Sequence, residues 1–587
     1  MHTQPPDALA DFTRDTRVLV LALMAVVIGV MSALVAAALV WLINVITNLA
    51  FFGTLSGVFR SPAEHHLGLW VILVPAAGGI VIGLMARFGS EKIRGHGIPE
   101  ALEAILYGSS RMEPRVAVLK PVSSALSIGT GGPFGAEGPI IMTGGAFGSL
   151  FAQMFHLSSA ERKTLLVAGA AGGMAAIFAT PIAAVLLAVE LLLFEWKPRS
   201  FVPVAVSSIV AAMLRVPLLG AGPIFPMAPH AAPGAGIMAA ALAVGIVAGA
   251  GSTALTALVY GFEDLFGKLP LHWMWWPVIG GLGVGAGALI DPRVLGVGYD
   301  VIRSLLAGNL VGGVLISLLI GKALVWSFSL GSGTSGGVLA PLLIIGGALG
   351  ALEAQWIPVG DTALWALVGM AAMMGGTMRS PLTAIMFAFE LTHEVNLLLP
   401  LLVSCIAAHA FTVLALRRSI LTEKVARRGY HITREYSVDP FESLRVEEVM
   451  DADVQSVPPG MSVRDLSGRI ESGDPAVTRH HALPIVDAEG KLRGIITRGD
   501  VLRALEQDGE ETVLEAGTND LVVAYPDEIL RDAAQRMLRS DVGRLPVVSR
   551  EDPRRVVGYL GRPSVLSALR QRMTEEHERE SGWRNYA

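Results

Sequence analysis

The chain has a single cysteine, Cys405, and so cannot form an intrachain disulfide. Charge is scarce too. Only 16% of its 587 residues are Asp, Glu, Lys or Arg, where a soluble protein carries about 25%. Most of the polypeptide must therefore face lipid or a buried core. The net charge of −5 decides nothing about partners, and no nucleic acid is expected among them. Residues 1–17 are polar and mixed in charge, without the short apolar core of a cleavable signal. They read as a cytosolic stub. Nowhere does a nucleophile stand beside a base, and Walker phrases and zinc spacings are missing. His480 and His481, near Asp474, would point to opposite faces of a strand, which disfavours a metal site. Neither an enzyme nor a metal centre is expected.

Long uncharged runs, by contrast, are plentiful. Residues 18–49 exceed the roughly twenty that a membrane-spanning helix needs. Comparable stretches lie at 67–85, 237–260, 273–290, 311–320 with its continuation, 364–378 and 397–416. Other apolar runs are interrupted by Gly or Pro and are too short to span alone. Irregular backbone at membrane depth is tolerated only where protein or a watery cavity covers it. Basic clusters at Lys92/Arg94, Arg162/Lys163, Lys197/Arg199 and Arg417/Arg418/Lys424 are expected on the cytosolic side.

Three short phrases organise these runs: Gly95-His96-Gly97-Ile98-Pro99-Glu100, Gly135-Ala136-Glu137-Gly138-Pro139 and Gly337-Val338-Leu339-Ala340-Pro341. Glycine permits close approach to the backbone, and proline is tolerated in a first helical turn. Each phrase therefore reads as the mouth of a helix whose free amides can face an anion. A helix start carries about half a positive charge. At about 4 Å and an effective dielectric near 20, a full charge would hold chloride by about 4 kcal/mol, and half a charge by about half that. Conduction needs binding that is firm enough to enter and weak enough to leave, and the phrases contain no Lys or Arg. The second and third phrases lie about two hundred residues apart, each after a glycine-rich loop (129–132 and 331–337). Broken helices in corresponding halves point to inverted repeats with a site near the bilayer midplane.

Taken together, and in this order, the phrases resemble those of the CLC family of chloride channels and chloride/proton antiporters. The resemblance extends over 17–430, including 119–132, 164–173 and Phe178-Ala179-Thr180-Pro181. It implies an all-α polytopic membrane domain of CLC-type inverted repeats with broken helices. It also implies a homodimer in the lipid bilayer with one pore per subunit, multi-pass in a bacterial inner or plasma membrane with both termini cytosolic. Glu137 resembles the gating glutamate, a carboxylate that competes with the anion for the amides. Expected anion contacts are His96, Gly97 and Ile98, Gly135 and Gly138, Val338 and Leu339, and Leu421.

Four departures from the family pattern bear on mechanism. His96 stands where a serine is usual, and an imidazole can gain charge below about pH 6.5. Ala136 replaces a basic residue beside the gate. Leu191 falls at the place of the inner proton-transfer glutamate, leaving Glu190 as a candidate for the proton path. Ser419-Ile420-Leu421 replaces a Ser-Ile-Tyr phrase, which removes a hydroxyl donor. The expectation is a gated, voltage- or pH-sensitive chloride channel, with a chloride/proton antiporter as the alternative. Transport of fluoride or nitrate is a smaller one, since His96 is not the Met or Asn familiar in the fluoride subgroup.

After residue 428 charges become dense, and a repeat emerges. Leu483-Pro484-Ile485-Val486 recurs as Leu545-Pro546-Val547-Val548, and Gly494 as Gly558. Each copy reads helix, strand, strand, helix. This looks like a tandem α/β pair of cystathionine-β-synthase (CBS) modules at 446–507 and 514–572, with a linker at 431–445 and a tail at 573–587. In such modules Thr497, Arg498 and Asp500 would hold an adenine nucleotide (ATP, ADP or AMP). The second copy has Gly561-Arg562-Pro563-Ser564 instead, so at most one nucleotide is expected per chain. No cofactor is expected to be required.

Overall fold

A computed structural model of the chain describes residues 17–106, 110–428, 444–478 and 481–575. The expected stub at 1–16, nearly all of the linker and most of the tail lie outside those residues, as does His480. The chain forms two compact units, 1–435 and 436–587.

The first unit is helical. Among the described residues, seven helical segments are long and apolar enough to cross a membrane: Arg17–Phe52, Gly68–Phe88, Pro198–Leu219, Ala235–Gly267, Trp273–Ile290, Gly313–Gly331 and Val395–Arg427. Pro198–Leu219 is the one that the run of uncharged residues does not announce. It contains Pro203, Pro217 and Arg215, which together resemble a broken segment in sequence. Helices of 10–17 residues fill the middle, among them Leu339–Glu353, Thr362–Met378 and Pro381–Thr392. Their sides are lined with glycine and alanine and are buried.

The two halves of this unit repeat each other with an offset of about two hundred residues. Helix Glu137–Gln153 crosses Ser159–Phe178 where a Cβ on Gly169 would lie 2.1 Å from the Gly144 carbonyl oxygen. Leu339–Glu353 crosses Thr362–Met378 in the same way, and a Cβ on Gly369 would lie 2.3 Å from the carbonyl oxygen of Gly346. Only glycine allows backbones this close. Two buried lysines also correspond. Lys120 Nζ donates to the carbonyls of Ile93 (2.8 Å) and Gly95 (2.7 Å), and Lys322 Nζ donates to those of Val294 (2.9 Å) and Gly296 (3.0 Å). Each ties down a loop whose glycines have positive φ: Gly95 and Gly97 in one, Gly296 and Gly298 in the other.

The second unit carries two antiparallel two-stranded sheets, Ala482–Val486 with Leu492–Thr497 and Arg544–Val548 with Val556–Gly561. Pro484 pairs with Ile495 and Pro546 with Tyr559, so the repeat is one of register as well as of sequence. The leading segments are exchanged between the copies. Leu444 and Val446 are buried in the core of the second sheet, beside Leu530 and Leu545, whereas Val513 is buried with Val457, Ile485 and Ile496. The amide of Leu530 donates to the Leu444 carbonyl at 2.8 Å. Each copy thus lends its first turn to the other, and the pair is one folding unit rather than two beads.

Candidate anion site

The second and third glycine phrases meet back to back. Gly337 N donates to the Gly135 carbonyl at 2.8 Å, and Gly135 N donates to the Gly337 carbonyl at 3.3 Å. This pairing aims the starts of helices Glu137–Gln153 and Leu339–Glu353 at one spot. Glu137 is fully buried there. Its Oε1 accepts hydrogen bonds from the amides of Leu339 and Ala340, the latter at 3.3 Å, while Oε2 has no partner among the described residues. An acidic side chain from the first half of the unit thereby caps a helix of the second half. The half-charge of that helix end is what makes the seat attractive to a carboxylate, and to any anion that displaces it.

The first phrase closes the site from another side. A Cβ on Gly138 would lie 2.1 Å from the His96 carbonyl oxygen and 3.2 Å from the Cα of Gly337. A Cβ on Gly97 would lie 3.0 Å from the Gly138 carbonyl oxygen, and Gly97 has φ +89°, so both positions require glycine. Ile98 begins the helix Ile98–Leu106. His96 is buried, with no hydrogen-bond partner among the described residues for either ring nitrogen. Its imidazole is therefore not held by backbone.

Leu421 belongs to the buried core that also holds Ile98, Val338 and Leu339. Its helix, Ile420–Arg427, is fastened to the first phrase by ion pairs from Lys424 and Arg428 to Glu100, at 3.5 and 2.7 Å. The hydroxyl of Tyr260 donates to the Ile420 carbonyl at 2.5 Å. The place expected to carry a hydroxyl donor thus presents hydrocarbon.

Two expected site residues have other bonds. Gly135 N–H is engaged by Gly337 and is not free for an anion. Glu190 lies in the π-helical turn Ala188–Leu193 and accepts from Leu382 N (3.2 Å), Thr383 N (2.8 Å) and Thr383 Oγ1 (2.6 Å). Ala340 is a contact that the sequence reading did not name. The signal was present: Pro341 has no N–H, so the last free amides of that helix are those just before it.

The chain has relatives among known proteins. The sequence model described as "Voltage gated chloride channel" matches residues 77–413. The chain belongs to that family. The CBS domain model matches 446–507 and 513–571. Over 86% of this chain and 74% of the relative, the sequence is 26% identical to chloride channel protein CLC-f of Arabidopsis thaliana. It is 29% identical to the H(+)/Cl(-) exchange transporter ClcA of Salmonella arizonae, covering 67% of this chain and 86% of that one. Among solved structures, a slow cyanobacterial Cl-/H+ antiporter shares the fold with a TM-score of 0.62 and 23% identity, over 71% of this chain and 99% of that one. The chain is thus a membrane-embedded anion transporter of the CLC type, carrying a tandem CBS pair.

In the CBS pair, Thr497, Arg498 and Asp500 lie at the start of helix Arg498–Glu506. Asp500 is buried, and its Oδ2 accepts from Thr497 N (2.8 Å) and Thr497 Oγ1 (2.7 Å) while Oδ1 pairs with Arg503. Arg498 Nη2 donates to the Thr478 carbonyl at 3.3 Å, and its buried Nε has no acceptor among the described residues. The Asp500 carboxylate caps its own helix. A ribose would have to compete with that cap.

Proposed function

We propose that this protein is a gated chloride channel in which Glu137 occupies the amide seat in place of the permeating anion. The observation that carries the reading is the hydrogen bonding of the Glu137 carboxylate to Leu339 and Ala340. Neutralising or displacing that carboxylate frees two amides and the field of a helix end for chloride. Gly138 and Gly97 border the same spot and would complete the anion's surroundings. Passive conduction, rather than exchange, is supported by two side chains. Leu191 cannot relay a proton, and Leu421 offers no hydroxyl at the inner end. Glu190 is engaged by three donors from helix Pro381–Thr392, which supports a structural role for it.

A chloride/proton antiporter is the second reading, favoured by the likeness to the Salmonella exchange transporter. Reversal potentials of the purified protein in liposomes separate the two. A channel reverses at the chloride equilibrium potential whatever the pH gradient, whereas an antiporter's potential moves with it. Replacing chloride by nitrate or fluoride in the same assay ranks the anions. The CBS pair is proposed as a regulatory unit that takes an adenine nucleotide through Arg498. Calorimetry of the full chain with ATP, ADP and AMP tests this, and no heat with any of them rejects it.

A further inference from the structure

A cavity of about 370 Å³ opens beside the gate, with Ala136 and Tyr299 among its lining residues. Asn44 and Thr47, near the far end of the 36-residue helix Arg17–Phe52, line it too. It therefore lies on the side of the membrane opposite to residue 17. Its charged lining is unbalanced: Arg60, Arg215 and Arg303 against Asp300. Asp300 is partly satisfied, accepting from Ser61 Oγ at 2.8 Å. Arg60 is drawn to the rim, 3.7 Å from Glu64 and stacked over Phe52. Arg303 is exposed, above the ring of Phe225.

Arg215 differs from these. It is only 8% exposed. Its one hydrogen bond among the described residues goes from Nη1 to the carbonyl of Gly220, and Nε has no acceptor among them. A buried guanidinium is costly unless an anion pairs with it, and this one borders a cavity large enough for a partly hydrated halide. Position 136, where the family pattern has a basic residue beside the gate, is alanine here. The positive charge missing from the phrase is present in the cavity wall.

We propose that this cavity is an anion-binding antechamber, in which Arg215, assisted by Arg303, holds a small monovalent anion such as chloride before it reaches Glu137. This rests on the anion-transport reading above. The site raises the local anion concentration at the gate, so it acts on apparent affinity more than on maximal rate.

The test is chloride uptake by liposomes of the full-length protein, measured against external chloride for the wild type, Arg215→Gln, Arg215→Lys and Arg303→Gln. Arg215→Gln should raise half-saturating chloride at least threefold with the maximal rate within about twofold. Arg215→Lys should stay near the wild type, and Arg303→Gln should fall between. Should Arg215→Gln not fold, Arg303→Gln decides, because that side chain is exposed. Wild-type half-saturation in every folded neutral variant overturns the antechamber while leaving chloride transport intact. A wild type that moves no chloride in tight liposomes brings down the proposed function, and this site with it.

Discussion

Glu190 and Glu390 cap each other's helices. Glu190 accepts from the amides of Leu382 and Thr383 at the start of Pro381–Thr392. Glu390 accepts from those of Ile182 (2.9 Å) and Ala183 (2.8 Å) at the start of Pro181–Leu187. The two carboxylates are two hundred residues apart in sequence and hold corresponding positions in the two halves. A helix start buried without an acceptor leaves amides unsatisfied, so the pair locks the halves together.

Glu390→Ala should lower stability by about 1–3 kcal/mol, the scale of a lost cap and of charge-assisted hydrogen bonds. Glu190→Ala should do the same. Both would appear as lower melting temperatures in detergent. Glu190→Gln keeps an acceptor and should leave chloride flux unchanged. Loss of a proton flux in that variant alone would return Glu190 to the proton path.

Glu137→Gln should give chloride flux that no longer varies with pH, because the group that charges and discharges in the amide seat has gone. Efflux from liposomes between about pH 4 and pH 8, a window that includes the ordinary carboxyl range, checks this. A pH profile like that of the wild type rejects Glu137 as the gate.

Gly169→Ala and Gly369→Ala should each destabilise by about 1–3 kcal/mol through overpacking, since both Cβ atoms would meet a carbonyl oxygen of the crossing helix. Gly261→Ala, in helix Ala235–Gly267 with open space around it, should be neutral or stabilising. Thermal melts of the three variants provide the comparison.

The CBS unit should weaken in acid. The Asp487 carboxyl is held below its ordinary value by the Lys491 amide and then by Arg493, that of Glu515 by the Thr512 amide and then its hydroxyl, and that of Asp474 by the Ala476 amide and then Arg469. Groups depressed on folding contribute their full stability above the unfolded value of about 4 and lose it as pH falls below that. Amide exchange across 482–497 in the full chain, corrected for intrinsic rates, should speed up below about pH 4 and stay level from 5 to 7.

The helix starts next to Gly97, Glu137 and Val338 were legible because glycine and proline mark helix ends wherever the helix goes. Pro198–Leu219 was not, because Pro203 and Pro217 interrupt its pattern and Arg215 breaks its apolarity, yet packing against Arg17–Phe52 keeps it helical. Nor could sequence tell that Gly135 gives its amide to Gly337, or that Asp500 turns to its own helix rather than outwards.

By itself the sequence determined that this is a membrane protein with truncated helices, an acidic residue at one helix mouth and a duplicated CBS module. Local composition and periodicity are enough for that. Only the tertiary structure decided which amides Glu137 takes and that Glu190 and Glu390 serve each other's helices. Those are contacts between segments about two hundred residues apart. They form because a buried polar group left without a partner is costly, and partners are found in three dimensions rather than along the chain.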